Sequence, residues 1–162
     1  MKTTIASFIV TLLLAGCAGK ADNTLFFISQ SEKPGAKKIG CEEYLVGVKK
    51  EFSKKATVDE IVKTLLNADS KEYGADLMTA TAFTDKYIQF DSFIEPEKPV
   101  NSDPIRVRLK TAENGGIAGV CDTPRIKEQI TETVRAYAEL KGGPVQITLN
   151  GTVKEWECLG NE

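Results

Sequence analysis

An α+β fold is expected for this chain, with a mixed β-sheet and two helices packed on one of its faces. Three observations lead there. Two segments repeat apolar residues at helical spacing behind well-formed N-terminal signals. Several short segments rich in Val, Ile, Phe and Thr alternate or run apolar, as strands do. The two helices are separated by several strands instead of alternating with them one for one, which favours a helix-on-sheet sandwich over a doubly wound fold.

A leader is expected ahead of the folded domain. Lys2 is followed by an apolar run from Ile5 to Leu14, then by Ala15, Gly16 and Cys17. A charged start, a short apolar stretch and small residues make residues 1–16 a secretory signal. The run is far short of the ~20 residues that cross a bilayer. Leu14-Ala15-Gly16-Cys17 resembles the bacterial lipobox. That resemblance implies cleavage before Cys17, diacylation of its thiol, and anchoring without spanning, since two or three acyl chains hold firmly where one holds weakly. Ala18 beside the lipidated residue implies sorting to the outer membrane in a diderm cell. Residues 17–23 are then expected to form a polar, lipidated tether.

LFFIS at 25–29 is a compact apolar strand, and SEKPGAKK after it is a loop dense in turn formers. EYLVGVKK alternates Tyr44, Val46 and Val48 on one face, as a half-buried strand does. TVDEIVKTLLNA is the plainest helix. Thr57 with Glu60 forms a capping box, Asp59 adds negative charge to the first turn, and Val58, Ile61, Val62, Leu65 and Leu66 make one stripe. Leu77–Phe83 and Tyr87–Ile94, joined by Thr84-Asp85-Lys86, suggest a hairpin. Three prolines make residues 95–104 a surface loop.

IRVRLK sets Ile105, Val107 and Leu109 against Arg106, Arg108 and Lys110, a strand with a basic outer face. ENGGIAG (113–119) is a flexible loop leading to Cys121. Thr123 is then a natural N-cap, Pro124 suits the first helical position, and Ile126, Ile130, Val134 and Tyr137 track the buried side until Gly142 ends the helix. VQITL (145–149) is a strand. Asn150-Gly151 is a strong tight-turn signal, so TVKEWEC is expected to return as a short strand.

Charge and composition narrow the function classes. The chain has 21 basic and 23 acidic residues, net −2; only Lys2 lies in the leader, so the remainder is one unit more negative. A nucleic-acid partner would want a strong basic excess, and none is expected. There is no histidine, which removes Ser-His-Asp and Cys-His catalysis and the usual zinc ligand sets. Neither C-x-x-C, S-x-x-K, G-x-G-x-x-G nor Walker A occurs, so redox, penicillin-recognising and nucleotide chemistry lack support. No cofactor or metal is expected.

Carboxylates are the remaining route to an enzyme, because a wall-active glycosidase needs only two. Glu42, Glu43, Asp91 and Glu95 are the candidates, and their ordinary reading is solvated strand ends and loops. A ligand-binding lipoprotein feeding a transporter would instead need a closed apolar pocket. Lys49, Lys50, Lys54 and Lys55 could meet anionic lipid or wall polymer. Arg106, Arg108 and Lys110 are the better binding candidate. Trp156 is either a cap on the sheet edge or an exposed contact.

Beyond Cys17 stand Cys41, Cys121 and Cys158, an odd number for a compartment where disulfides persist. Closure entropy does not choose between pairings: about 4.5 kcal/mol for Cys41–Cys121 and about 3.9 kcal/mol for Cys121–Cys158. GIAGVCDTPRIKEQITETVRAYAELKGGPVQITLNG resembles the end of GerMN domains, the sporulation and spore germination module of many bacterial envelope lipoproteins. There a Gly-rich turn, often with a cysteine, precedes a helix reading R-I-x-x-Q-I-x-x-T and a strand ending I-x-x-N-G. Arg125, Ile126, Gln129, Ile130 and Thr133 match the helix; Val145, Ile147, Leu149, Asn150 and Gly151 match the strand. LFFIS, the cysteine before EYLVGVKKEF, and EYGADLMTAT match earlier segments more loosely.

The resemblance spans residues 24–151, departs at 95–111, and leaves 152–162 as a C-terminal extension. It implies a module related to the ring-building domains of envelope complexes, with no catalytic residues to carry over. It also implies Cys41 paired with Cys121, with Cys121–Cys158 as the alternative. Taken with the leader and the missing catalytic groups, the expectation is a lipid-anchored, non-enzymatic envelope protein that binds a protein or peptidoglycan component. A small carboxylate-based wall hydrolase is the alternative.

Overall fold

The structure, a computed structural model, describes residues 19–80, 88–92, 104–111, 120–141 and 143–159. Its longest ladder joins β1 (Lys20–Ser29) to β3 (Tyr44–Ser53), antiparallel and in unbroken register from Lys20 opposite Ser53 to Ser29 opposite Tyr44. The two-residue strands β2 (Lys37–Lys38) and β4 (Leu77–Met78) complete a four-stranded sheet of order β2-β3-β1-β4. The expected tether is thereby shortened. Residues 20–23 lack an apolar pattern, but their backbones pair with Lys50–Ser53 and extend the strand toward the leader. Gly47 sits opposite Phe26, and a side chain there would strike Thr24 and the Phe26 ring at 2.8 and 3.2 Å. Glycine leaves room for that ring to lie across the strand.

Helix α1 (Val58–Leu66) forms as its sequence dictates. The Thr57 N–H donates to Glu60 Oε2 (3.0 Å), the Glu60 N–H donates to Thr57 Oγ1 (3.3 Å), and Val58, Ile61, Val62, Leu65 and Leu66 are buried. A second sheet, order β5-β6-β7, contains β5 (Ile88–Ser92), β6 (Ile105–Thr111) and β7 (Val145–Leu149). β5 runs antiparallel to β6, and β7 runs parallel to it. A parallel neighbour needs a crossover, supplied here by the long helix α2 (Asp122–Lys141). Its residues Ile126, Ile130, Val134 and Tyr137 share one core with Leu25 and Phe27 of β1, Leu65 of α1 and Val107 of β6.

The α+β class stands, and among the described residues the strands fall in two sheets. Beyond the short β4, the edge of β1 is closed by side chains of α2: the Phe26 N–H donates to Thr133 Oγ1 (3.1 Å), and its carbonyl accepts from Gln129 Nε2 (3.0 Å). Among the described residues no ladder continues from there into the second sheet. Of the expected hairpin, Leu77–Met78 pair with β1 and Ile88–Ser92 pair with β6. Its connection, Thr84-Asp85-Lys86, lies outside the described residues. So do residues 1–18, residues 93–103 with all of the expected proline loop (95–104) but Pro104, and residues 112–119.

Two boundaries are also corrected. Helix α2 starts one residue before the expected cap, with the Arg125 N–H donating to the Cys121 carbonyl (3.3 Å) and Thr123 buried in the first turn. The tail does not return as a strand. Asn150 and Gly151 take left-handed φ values of 51° and 87°, and one bridge pairs Leu149 with Thr152. Thr152 then accepts from the Glu155 N–H (3.1 Å) and caps α3 (Val153–Cys158). Thr152 with Glu155 carries an N-terminal helix pattern, and it prevails over hairpin return because the helix buries Trp156 in the core.

A disulfide links Cys41 to Cys121, 80 residues apart, tying the loop before β3 to the start of α2. Cys158 is an exposed free thiol. No described helix is long and apolar enough to cross a membrane.

Candidate binding face

Strand β6 separates core from charge residue by residue. Ile105, Val107 and Leu109 are buried, while Arg106, Arg108 and Lys110 between them are exposed. Side chains on one face of a strand repeat every ~6.7 Å, so the three cations form a row roughly 13 Å long. The parallel register places Gln146 beside Arg106 and Thr148 beside Arg108. A shallow hollow of about 420 Å³ follows this row, bounded by the three cations, Gln146, Thr148 and Asn150.

The two arginines of the row stand apart from the others in the chain. The chain contains four arginines. Arg125 and Arg135 are both in ion pairs, while Arg106 and Arg108 make none with another described residue. Two like charges ~7 Å apart repel by well under 1 kcal/mol in water, so the array is cheap to hold open. A planar guanidinium favours two-point contact with carboxylate or phosphate. The arrangement suits a ligand with repeated anionic groups, and such exposed contacts weaken with salt.

One end of the row is rigidly set. Asn150 Oδ1 accepts from the Thr111 N–H (3.0 Å) and hydroxyl (3.2 Å), while Asn150 Nδ2 donates to Glu155 Oε2 (2.8 Å). The tight-turn asparagine thus joins β6 to α3.

The other expected site residues are dispersed. Trp156 is only 5% exposed, packed in the core from α3, and is no contact surface. Lys49 and Lys50 point to opposite sides of β3; Lys50 Nζ lies over the Tyr73 ring and donates to its hydroxyl. Glu43 is buried, and both its carboxylate oxygens accept from Arg125, at 2.6 Å each from Nε and Nη2. Arg125 Nη1 donates to Asp122 (2.8 Å). Hydrogen bonding to Glu43, partly opposed by desolvation, raises the guanidinium's already high pKa. Glu43 is therefore a structural anion. Glu42 is exposed, and the side chains of Asp91 and Glu95 lie outside the described residues.

A larger hollow of about 890 Å³ opens between β4 and the start of α2, with Ile28, Met78 and Ile126 among its walls. Its polar groups serve the fold already. Arg125 holds Glu43 and Asp122, and Asp69 accepts from the Lys71 N–H (3.0 Å). Among the described residues no acidic or cysteine cluster could hold a metal ion. Sequence reasoning missed Gln129 and Thr133 as buried polar residues; the R-I-x-x-Q-I-x-x-T pattern was the signal that marked them. Comparison with protein-family models, curated proteins and solved structures finds no match for this chain.

Proposed function

We propose that this chain is a lipid-anchored, non-enzymatic protein of the bacterial envelope, whose GerMN-like domain binds a peptidoglycan or protein component through the basic face of β6. The observation that carries the reading is the exposed row Arg106, Arg108 and Lys110, with two arginines that have no ion pair among the described residues. The lipobox-like Leu14-Ala15-Gly16-Cys17 supports the anchor, and the absence of histidine supports a binding role. Arg125, Gln129 and Thr133, the polar members of the family-like helix pattern, all hold the fold together, as a shared scaffold would require.

Co-sedimentation of the purified full chain with peptidoglycan sacculi, across a range of salt, tests it. The expected result is binding that Arg106→Gln with Arg108→Gln reduces about tenfold, an effect of exposed charge contacts alone. A double variant that sediments like the wild type would remove the β6 face as the binding surface. If the wild type fails to sediment at any salt, a protein becomes the partner to seek by cross-linking.

A further inference from the structure

We propose that the end of the domain where β1 begins lies in the headgroup layer of the membrane holding Cys17, and that Lys54 and Lys55 there bind anionic phospholipid headgroups. The proposal rests on the lipid anchor of the preceding reading. Two peptide units separate Cys17 from Gly19, a reach of at most about 7.6 Å in any conformation. Gly19 is already part of the folded domain, because its carbonyl accepts from the Lys54 N–H (2.9 Å). A lipid on Cys17 therefore leaves almost no tether.

The residues gathered at that point suit a headgroup layer. The Lys54 side chain lies across Gly19 so closely that a Cβ on the glycine would come within 2.7 Å of its Cδ and Cε. Lys54 and Lys55 are exposed on a turn held by bonds from the Ala56 N–H to the Ser53 carbonyl (2.8 Å) and from the Lys55 N–H to Ser53 Oγ (3.2 Å). Lys20, 71% exposed, pairs with Glu51 beside them.

Ammonium groups this near an acylated residue fall within one Debye length of the leaflet surface, where anionic lipid attracts them. Among the described residues the large exposed apolar side chain is Val120, next to Cys121 and the disulfide. Cys121 opens α2, whose far end returns to the anchor side, where the Tyr137 hydroxyl donates to the Ala56 carbonyl (3.4 Å). Contact at the anchor end is thus with headgroups, and the disulfide stands at the other end of β1, roughly 30 Å away along a ten-residue strand.

The test uses the purified full chain, with its intact mass read first for acylation. The chain is reconstituted into phosphatidylglycerol/phosphatidylcholine vesicles, into phosphatidylcholine vesicles and into neutral detergent, then labelled with a water-soluble amine-acetylating reagent. Expected in the anionic vesicles is about fivefold slower acetylation of Lys54 and Lys55 than in detergent, consistent with charge-driven surface contact. Lys38, opposite Tyr44 at the far end of β3, should label equally throughout. Acylated chain whose Lys54 and Lys55 label equally in all three settings would overturn the orientation while leaving the anchor intact. Equal protection in both vesicle types would overturn binding to anionic headgroups. A mass without acyl chains would overturn both readings at once.

Discussion

The amide of Gln129, fully buried, ties two separate pieces of chain to its helix: it donates to the Phe26 carbonyl and to Thr79 Oγ1 (3.3 Å), and accepts from the Ala80 N–H (2.9 Å). Replacing it with methionine keeps the shape and strands two half-buried backbone groups. Gln129→Met is expected to cost about 2–4 kcal/mol. Urea unfolding should show a lowered midpoint at unchanged slope; an unmoved midpoint would mean that water takes over the amide's bonds. The role was not legible from periodicity. Ile126, Ile130, Val134 and Tyr137 announce a buried stripe, and nothing in that spacing says that the neighbouring Gln129 and Thr133 face a strand edge. The basic row was legible, because strict alternation along β6 leaves Arg106, Arg108 and Lys110 nowhere to go but outward.

Between elements, one ion network fastens β2 to α2. Lys37 Nζ lies 2.7 Å from both Glu128 and Glu132, and Arg135 meets Glu132 at 2.6 Å. Burial alone would raise the Glu132 carboxyl; the bonds from Lys37 and the charge of Arg135 outweigh it and hold the group below its ordinary range. A depressed folded value means the stabilisation is complete above the ordinary glutamate value and is lost as the pH falls through the folded one. Exposure of Lys37 screens the pair, so about 1 kcal/mol is at stake. Thermal midpoints of wild type and Glu132→Gln, measured at neutral pH and in the acid range below ordinary glutamate titration, should converge on acidification. A constant gap would place the cost of the substitution in packing.

At this scale the helix α1 was fully legible through its cap and stripe, whereas Thr152–Cys158 was not. The turn before it and the Thr-x-x-Glu within it point to different structures, and only burial of Trp156 decides. The same holds for Lys20–Asn23, whose pairing depends on a partner strand thirty residues later.

Across the whole molecule, the disulfide spans 80 residues and joins the two ends of the long excursion between β2 and α2. Cys41 and Glu42 both hold left-handed φ values, 60° and 56°, and that strain offsets part of the benefit. Replacing both cysteines with serine is expected to lower stability by about 2–4 kcal/mol, less than the closure-entropy figure. Denaturant unfolding with and without reductant would check it, and a loss below about 1 kcal/mol would assign the bond a role other than holding the fold. Closure of the β1 edge acts at this scale too, because Phe26 has already committed both backbone groups to α2. An open edge beside so apolar a strand as LFFIS would template aggregation between neighbouring copies. With a helix seated on that rung, many copies can crowd one surface without a second molecule's strand finding a place to pair at Phe26.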